Sequence, residues 1–374
     1  MSLVLEYLVV LEHLALLLKI HFVMTKHVLL SIFLLGFVAC ETEQPDTGDR
    51  ASAGEHEFEE VTRFSEGLFE PDVFTVIGDS LLIGVDRSSS DTGVFRMNLD
   101  TGNMCCQTGV GEAPGEIAGQ GQAVVQQVND EHIWLWDEGS RSITLYDYDL
   151  SPIERTSRIG DRGSLRAAPI GTTHVLNVTS TADPFAEILN YTATLDEEGE
   201  PIQSVALPDE FSHVRNAFQL QYGHIVSDSE RAYIGFDFSS YIVGVDEDGI
   251  QFLTNSPKND PMPPQEEPRL PDLAEYPRTT LSMDVDSEHL FVLYSGKQTS
   301  REEVMSYQSD DKLGALSEKL NRSDTILLYE KQDGSHVDTW NIPVQADDIA
   351  VTEDYLYILS TDDMEPTIIQ YERP

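Results

Sequence analysis

Six pairs of short apolar segments, following one another along the chain, limit what it can fold into more than any other feature. The leading member of each pair is Leu81–Asp86, Ile133–Asp137, His174–Val178, Ala232–Asp237, Leu290–Tyr294 or Leu356–Ser360. Its follower is Gly93–Leu99, Ile143–Asp147, Ile188–Leu195, Tyr241–Val245, Thr325–Tyr329 or Thr367–Tyr371. All are rich in β-branched and aromatic residues and are bounded by Gly, Asp, Asn and Ser, the composition of strands and turns. Asp100-Thr101-Gly102, Asp248-Gly249 and Asp333-Gly334 follow three of the pairs and suit tight hairpins. A shorter strand precedes each pair, as in Val73–Ile77 or Ala123–Val128, and a fourth follows most of them, as in Val205–Leu207 or Val337–Asn341. A repeat of about fifty residues with four antiparallel strands is the arithmetic of a propeller blade.

The expected fold is therefore all-β, a six-bladed β-propeller spanning residues 58–374. The last unit stops at Tyr371 after its third strand, and Phe58–Phe64 precedes the first unit without a place of its own. That segment can supply the missing outer strand of the last blade and close the ring, which leaves only short, protected sheet edges.

The amino-terminal region carries a second signal. Met24-Thr25-Lys26-His27 is a short basic start, Val28–Val38 is apolar, and Ala39 precedes Cys40. This is the layout of an export signal, and the apolar run is short for a bilayer span. A Cys directly after the small residue resembles the bacterial lipoprotein signal, in which that Cys is acylated, although Phe37 stands where such signals usually carry Leu. Residues 1–39 are accordingly read as an export region, with an ordinary secretory signal or an uncleaved anchor as the alternatives. Glu6, Glu12, His13 and Lys19 interrupt the apolar stretch before Met24, so translation starting at Met24 is the favoured reading and an extra hydrophobic helix the other. Residues 40–57 form an acidic tether: Glu41 to Gly54 contains no large apolar residue and cannot offset the entropy of ordering.

Charge narrows the partners. Asp and Glu number 66 against 23 Lys and Arg, a formal net charge of −43. Nucleic acid is excluded as a partner because phosphate binding needs clustered basic residues. Such an excess suits a saline exterior, where screening makes self-repulsion tolerable. Beyond Cys40 the only cysteines are the neighbours Cys105 and Cys106, which on a strand point to opposite faces; a strained vicinal disulfide is the alternative.

Gly109–Ile117, with Ile133–Asp137 and Ile143–Asp147, resembles the NHL-type repeat and the TolB-like six-bladed propellers of lipoproteins from Bacteroidetes-like bacteria. The resemblance covers the first two units best, and its motifs are structural. It implies fold and envelope location; the family shares no activity to carry over.

In a propeller, loops between blades and those joining second to third strands share one face. Two insertions fall there: the Pro-rich Ser256–Arg278, and Lys297–Ser323, in which Leu313, Leu316 and Leu320 suggest a short amphipathic helix. The same face carries His213, Arg215, Tyr276, Arg278, Lys297 and Arg301, basic and aromatic groups conspicuous in so acidic a chain. They suggest a site for an anionic or sugar-like ligand; pairing with neighbouring carboxylates is the plainer explanation. For calcium, Asp284–Glu288 and Asp246–Gly249 offer oxygen ligands, without the glycine and terminal Glu spacing of a calcium loop. Hairpin turns explain both. No metal or other cofactor is otherwise called for, and nucleophile-elbow, zinc-protease and phosphate-loop motifs are absent. The leading expectation is a non-catalytic module, held at the membrane by lipid on Cys40, that binds a peptide, glycan or partner protein. The alternative is a hydrolase or lyase with a divalent cation in the central channel.

Overall fold

The computed structural model describes residues 56–66, 68, 71–86, 93–111, 116–118, 123–127, 131–140, 142–157, 164–170, 174–179, 191–195, 201–205, 223–228, 230–237, 239–246, 248–258, 277–298, 320–361 and 365–374. Residues 53–374 form a unit distinct from residues 1–52. Cys40 and the tether up to Glu55 lie outside the described residues.

The described strands make six four-stranded antiparallel sheets. Sheet I contains β2 (Pro71–Ile77), β3 (Leu81–Asp86), β4 (Val94–Asn98) and β5 (Met104–Gln107). Sheet II contains β6 (Ala123–Gln127), β7 (His132–Asp137), β8 (Ser142–Asp147) and β9 (Pro152–Ser157). Sheet III is β10 (Ser164–Ile170), β11 (His174–Thr179), β12 (Tyr191–Leu195) and β13 (Pro201–Val205). Sheet IV is β14 (Gly223–Ser227), β15 (Ala232–Phe236), β16 (Ser239–Asp246) and β17 (Gly249–Asn255). Sheet V runs β18 (Arg278–Val285), β19 (His289–Lys297), β20 (Ser323–Glu330) and β21 (His336–Ala346). Sheet VI has β22 (Asp348–Val351), β23 (Tyr355–Ser360) and β24 (Thr367–Glu372), with β1 (Glu60–Phe64) along its outer edge.

The first strands of the sheets touch in the order β2, β6, β10, β14, β18, β22 and back to β2. The fold is a β-propeller of four-stranded antiparallel blades. β1 pairs with β24, setting Arg63 opposite Ile369 and Phe64 opposite Ile368. One of the fourth strands departs from the sequence reading: β13 covers Pro201–Val205 where Val205–Leu207 is expected. Ile188–Asn190 and the helix expected around Leu313 and Leu316 fall outside the described residues, whereas Leu320 is described and buried.

Most second strands have an apolar middle because sheets cover them on both sides. β3 and β15 are buried at every residue. Alternation then decides which neighbour each side chain meets. Ile83, Val85 and Val94 pack with Ile133 and Leu135 of sheet II, whereas Leu82, Phe95 and Met97 pack with Tyr357, Leu359 and Ile368 of sheet VI. In sheet V, Phe291, Leu293, Ile326 and Leu328 face Leu356, Ile358 and Ile369 of sheet VI. Leu290, Val292, Leu327 and Tyr329 face Tyr233, Ile242 and Phe252 of sheet IV. The core is thus a series of layers between sheets rather than one centre.

The three expected Gly turns close the hairpins β4–β5, β16–β17 and β20–β21, with Gly102 at φ 68°, Gly249 at 122° and Gly334 at 72°. That region of φ costs glycine nothing.

Candidate functional site

A small cavity of about 40 Å³ lies among the inner strands. Its described lining comes from β2, β6, β14, β18 and β22, and its polar members are Thr75, Gln126, His224, Ser282, Asp284 and Asp348. First strands therefore mix apolar residues, which pack against neighbouring sheets, with polar ones turned to the centre.

Those polar groups tie one sheet to the next. Asp348 of β22 accepts from Phe74 N of β2 at 3.1 Å through Oδ2, and from its neighbour Ile349 N at 3.0 Å through Oδ1. Ser282 Oγ of β18 also donates to Asp348 Oδ1. Asp284 Oδ2 of β18 accepts from Val351 N of β22 at 2.7 Å. Across the cavity, Gln126 Oε1 accepts from Ser227 N at 3.1 Å and Ser227 Oγ at 3.2 Å, so β6 and β14 meet directly although sheet III lies between them in chain order. Burial pushes both Asp284 and Asp348 up to about 7, against the hydrogen bonds that favour their charged forms.

On the face that carries the insertions, Arg278, Lys297 and Arg322 are already engaged. Asp237, just past β15, is 5% exposed; Arg278 Nη2 donates to its Oδ2 at 3.0 Å and His224 Nε2 lies 3.7 Å from its Oδ1. Thr279 N donates to the Asp237 carbonyl at 2.7 Å, completing a link between sheets IV and V. Lys297 Nζ donates to Gln345 Oε1 at 2.8 Å and to the Arg322 carbonyl. Arg322 in turn pairs with Asp347 at 3.0 Å. Arg278 thus meets a carboxylate, the plainer of the two roles read from the sequence, and Lys297 meets an amide and a carbonyl. His213, Arg215, Tyr276 and Arg301 lie outside the described residues.

In the two acidic runs considered for calcium, Asp286 and Asp246 cap the backbone of hairpin turns. Asp286 Oδ1 accepts from Glu288 N at 2.7 Å and His289 N at 2.6 Å, while Asp286 Oδ2 takes Arg373 at 2.8 Å. Asp246 Oδ1 accepts from Asp248 N at 2.9 Å and Gln251 Nε2 at 2.7 Å. Among the described residues no group of three His, Cys, Asp or Glu side chains is placed to hold a metal ion. Cys105 is a free, exposed thiol on β5.

Sequence reasoning missed Asp348, Ser282 and Gln126. Each is a polar residue in a first strand, and that position was the one available signal. Asp284 was noticed only as part of an acidic turn.

No protein-family model matches the chain, and no curated protein matches it in sequence. Among solved structures, a protein from Bacteroides fragilis described as exported is similar over 85% of this chain and 94% of its own, at 13% identity and a TM-score of 0.51. A member of the DUF4221 family from Bacteroides vulgatus is similar over 84% of this chain and 98% of its own, at 9% identity and the same TM-score of 0.51. At these identities the likeness is one of fold, and what the comparisons establish for this chain is the β-propeller itself.

Proposed function

We propose that this chain is an exported, lipid-anchored propeller of six blades that binds a peptide, glycan or partner protein on the face bearing the two insertions. The ring reading rests on the six sheets, on the cyclic order of their inner strands and on the pairing of β1 with β24. Export and anchoring rest on the basic start at Met24, the apolar run and Cys40, and the export ascribed to the B. fragilis protein of similar fold agrees with them.

The observation that carries a binding rather than a catalytic role is the use of the central oxygens. A cation-dependent enzyme needs open ligands in the channel, yet Asp284, Asp348 and Gln126 each accept from a backbone N–H group of another sheet. The faces are left for recognition. In this reading Arg278 and Lys297 hold the rim of the site in shape, and His213, Arg215, Tyr276 and Arg301 contact the ligand.

Glycan and peptide arrays probed with the full chain test the idea. Binding should appear, and should fall at least tenfold in Arg215→Ala and Tyr276→Ala with the unfolding midpoint unchanged. Binding that survives both substitutions, or hydrolysis of an array member that depends on added divalent cation, would overturn it.

A further inference from the structure

We propose that the inner seam joining sheets I, V and VI is a proton-operated joint, in which protonation of the carboxyls of Asp284 and Asp348 strengthens the ties among β2, β18 and β22. The geometry comes first. Asp348 is the meeting point of three inner strands: it accepts from Phe74 N of β2 and from Ser282 Oγ of β18 while belonging to β22. Asp284 adds a second tie between β18 and β22 through Val351 N. This is also where the first and last sheets of the chain meet.

The equivalent tie between β6 and β14 uses a neutral amide, Gln126. Two carboxylates at one seam are a different matter, because ionising both places like charges close together with little water. Among the described residues, the groups around them supply no compensating cation. β2 and β6 present Thr75 and Gln126 to the cavity, neither of which titrates, and β14 presents His224, which lies 3.7 Å from Asp237. Just past β18 comes Asp286, whose charge raises Asp284 further and which itself pairs with Arg373. Asp347 precedes β22 and turns outward to Arg322. Arg373 and Arg322 are therefore committed elsewhere.

Burial lifts both carboxyls to about 7, and the charge on Asp284 adds to the rise at Asp348. One proton on the pair removes the repulsion, and the remaining lone pairs still accept the Phe74, Ile349 and Val351 amides. The sign is fixed by linkage. A carboxyl raised on folding makes the folded state bind more protons than the unfolded one, so stability is greatest below the unfolded value of about 4 and is lost as pH rises through about 7.

The test is thermal unfolding of the full chain at constant ionic strength from about pH 6 to about pH 8.5. The midpoint should fall by about 5 °C over this range. Backbone exchange at Phe74, Ile349 and Val351, corrected for intrinsic base catalysis, should speed by about tenfold, equivalent to about 1.4 kcal/mol. Asp348→Asn and Asp284→Asn should each flatten the slope and raise the midpoint at the alkaline end. Should Asp348→Asn fail to fold, Asp284→Asn alone carries the test, and Asp286→Asn should keep most of the slope. A wild-type midpoint that is flat or rises with pH overturns the proposal. So does a slope that persists in the Asn variants, or one abolished by calcium and restored by a chelator, which would make the carboxylates a cation site.

Discussion

Gly84 and Gly244 each sit directly across a strand pair from an aromatic ring, Gly84 opposite Phe95 and Gly244 opposite Phe252. A methyl group added at either glycine would collide with that ring. Phe95 is fully buried and Phe252 is 9% exposed, so neither ring can swing away freely. Gly244→Val should lower stability by about 1–3 kcal/mol, the usual range for overpacking, as read from urea unfolding. An unchanged midpoint would show that Phe252 can move. Both glycines were visible in the sequence as members of apolar runs, but their role was not, because cross-strand register depends on turns whose bulges the sequence does not announce. Asp237 was legible as an acid ending a strand. Its partner Arg278 stands 41 residues further on, and only the packing of sheets IV and V brings the two together.

Elements were far more legible than contacts. Second and third strands are covered on both faces and read as unbroken apolar runs, so β3, β7, β15, β20 and β24 fall within a residue or two of their expected places. Fourth strands are half exposed, as β21 is, and their weaker pattern explains the displacement of β13. The carboxylate ties of the centre could not be read at all, since one acid in a first strand looks the same whether it faces solvent or another strand. At the opposite end of the seam between sheets V and VI, Arg373 follows β24 and reaches back to sheet V. Its guanidinium donates to Asp286 at 2.8 Å and to the Thr352 carbonyl, and lies 4.9 Å from the centre of the Phe291 ring. Arg373→Ala should therefore cost about 2–4 kcal/mol, because a partly buried carboxylate loses its partner and the ring loses its cation. Arg373→Lys should recover only part of that, since an ammonium cannot fork between the two acceptors and stack at once. Full recovery by Lys in denaturant unfolding would mean that charge alone matters here.

Across the whole molecule, a chain with 66 acids and 23 bases places five of its described cations where sheets join. Arg96 of sheet I reaches Asp149 of sheet II, Lys331 of sheet V reaches Asp228 of sheet IV at 2.7 Å, and Arg278, Arg322 and Arg373 bridge sheets IV to V and V to VI. Salt acts on this arrangement in opposite directions. It screens the mutual repulsion of the surplus carboxylates, which opposes compaction, and it weakens the bridges, which favour it. The side chains of Lys331, Arg278, Arg322 and Arg373 are 15–23% exposed, so these bridges are partly sheltered from ions. Among the described residues the acids are mostly exposed, where a Debye length of about 3 Å at 1 M salt silences them. Relief of repulsion should win, and the unfolding midpoint should rise when potassium chloride goes from about 0.05 M to about 1 M, a range in which this salt has little effect on apolar burial. The Arg373→Ala variant should show the same rise from a lower starting point, because its missing bridge contributes little to the salt response. A midpoint that falls with salt would mean that the bridges across the seams, rather than the surplus charge, dominate the electrostatics of the ring.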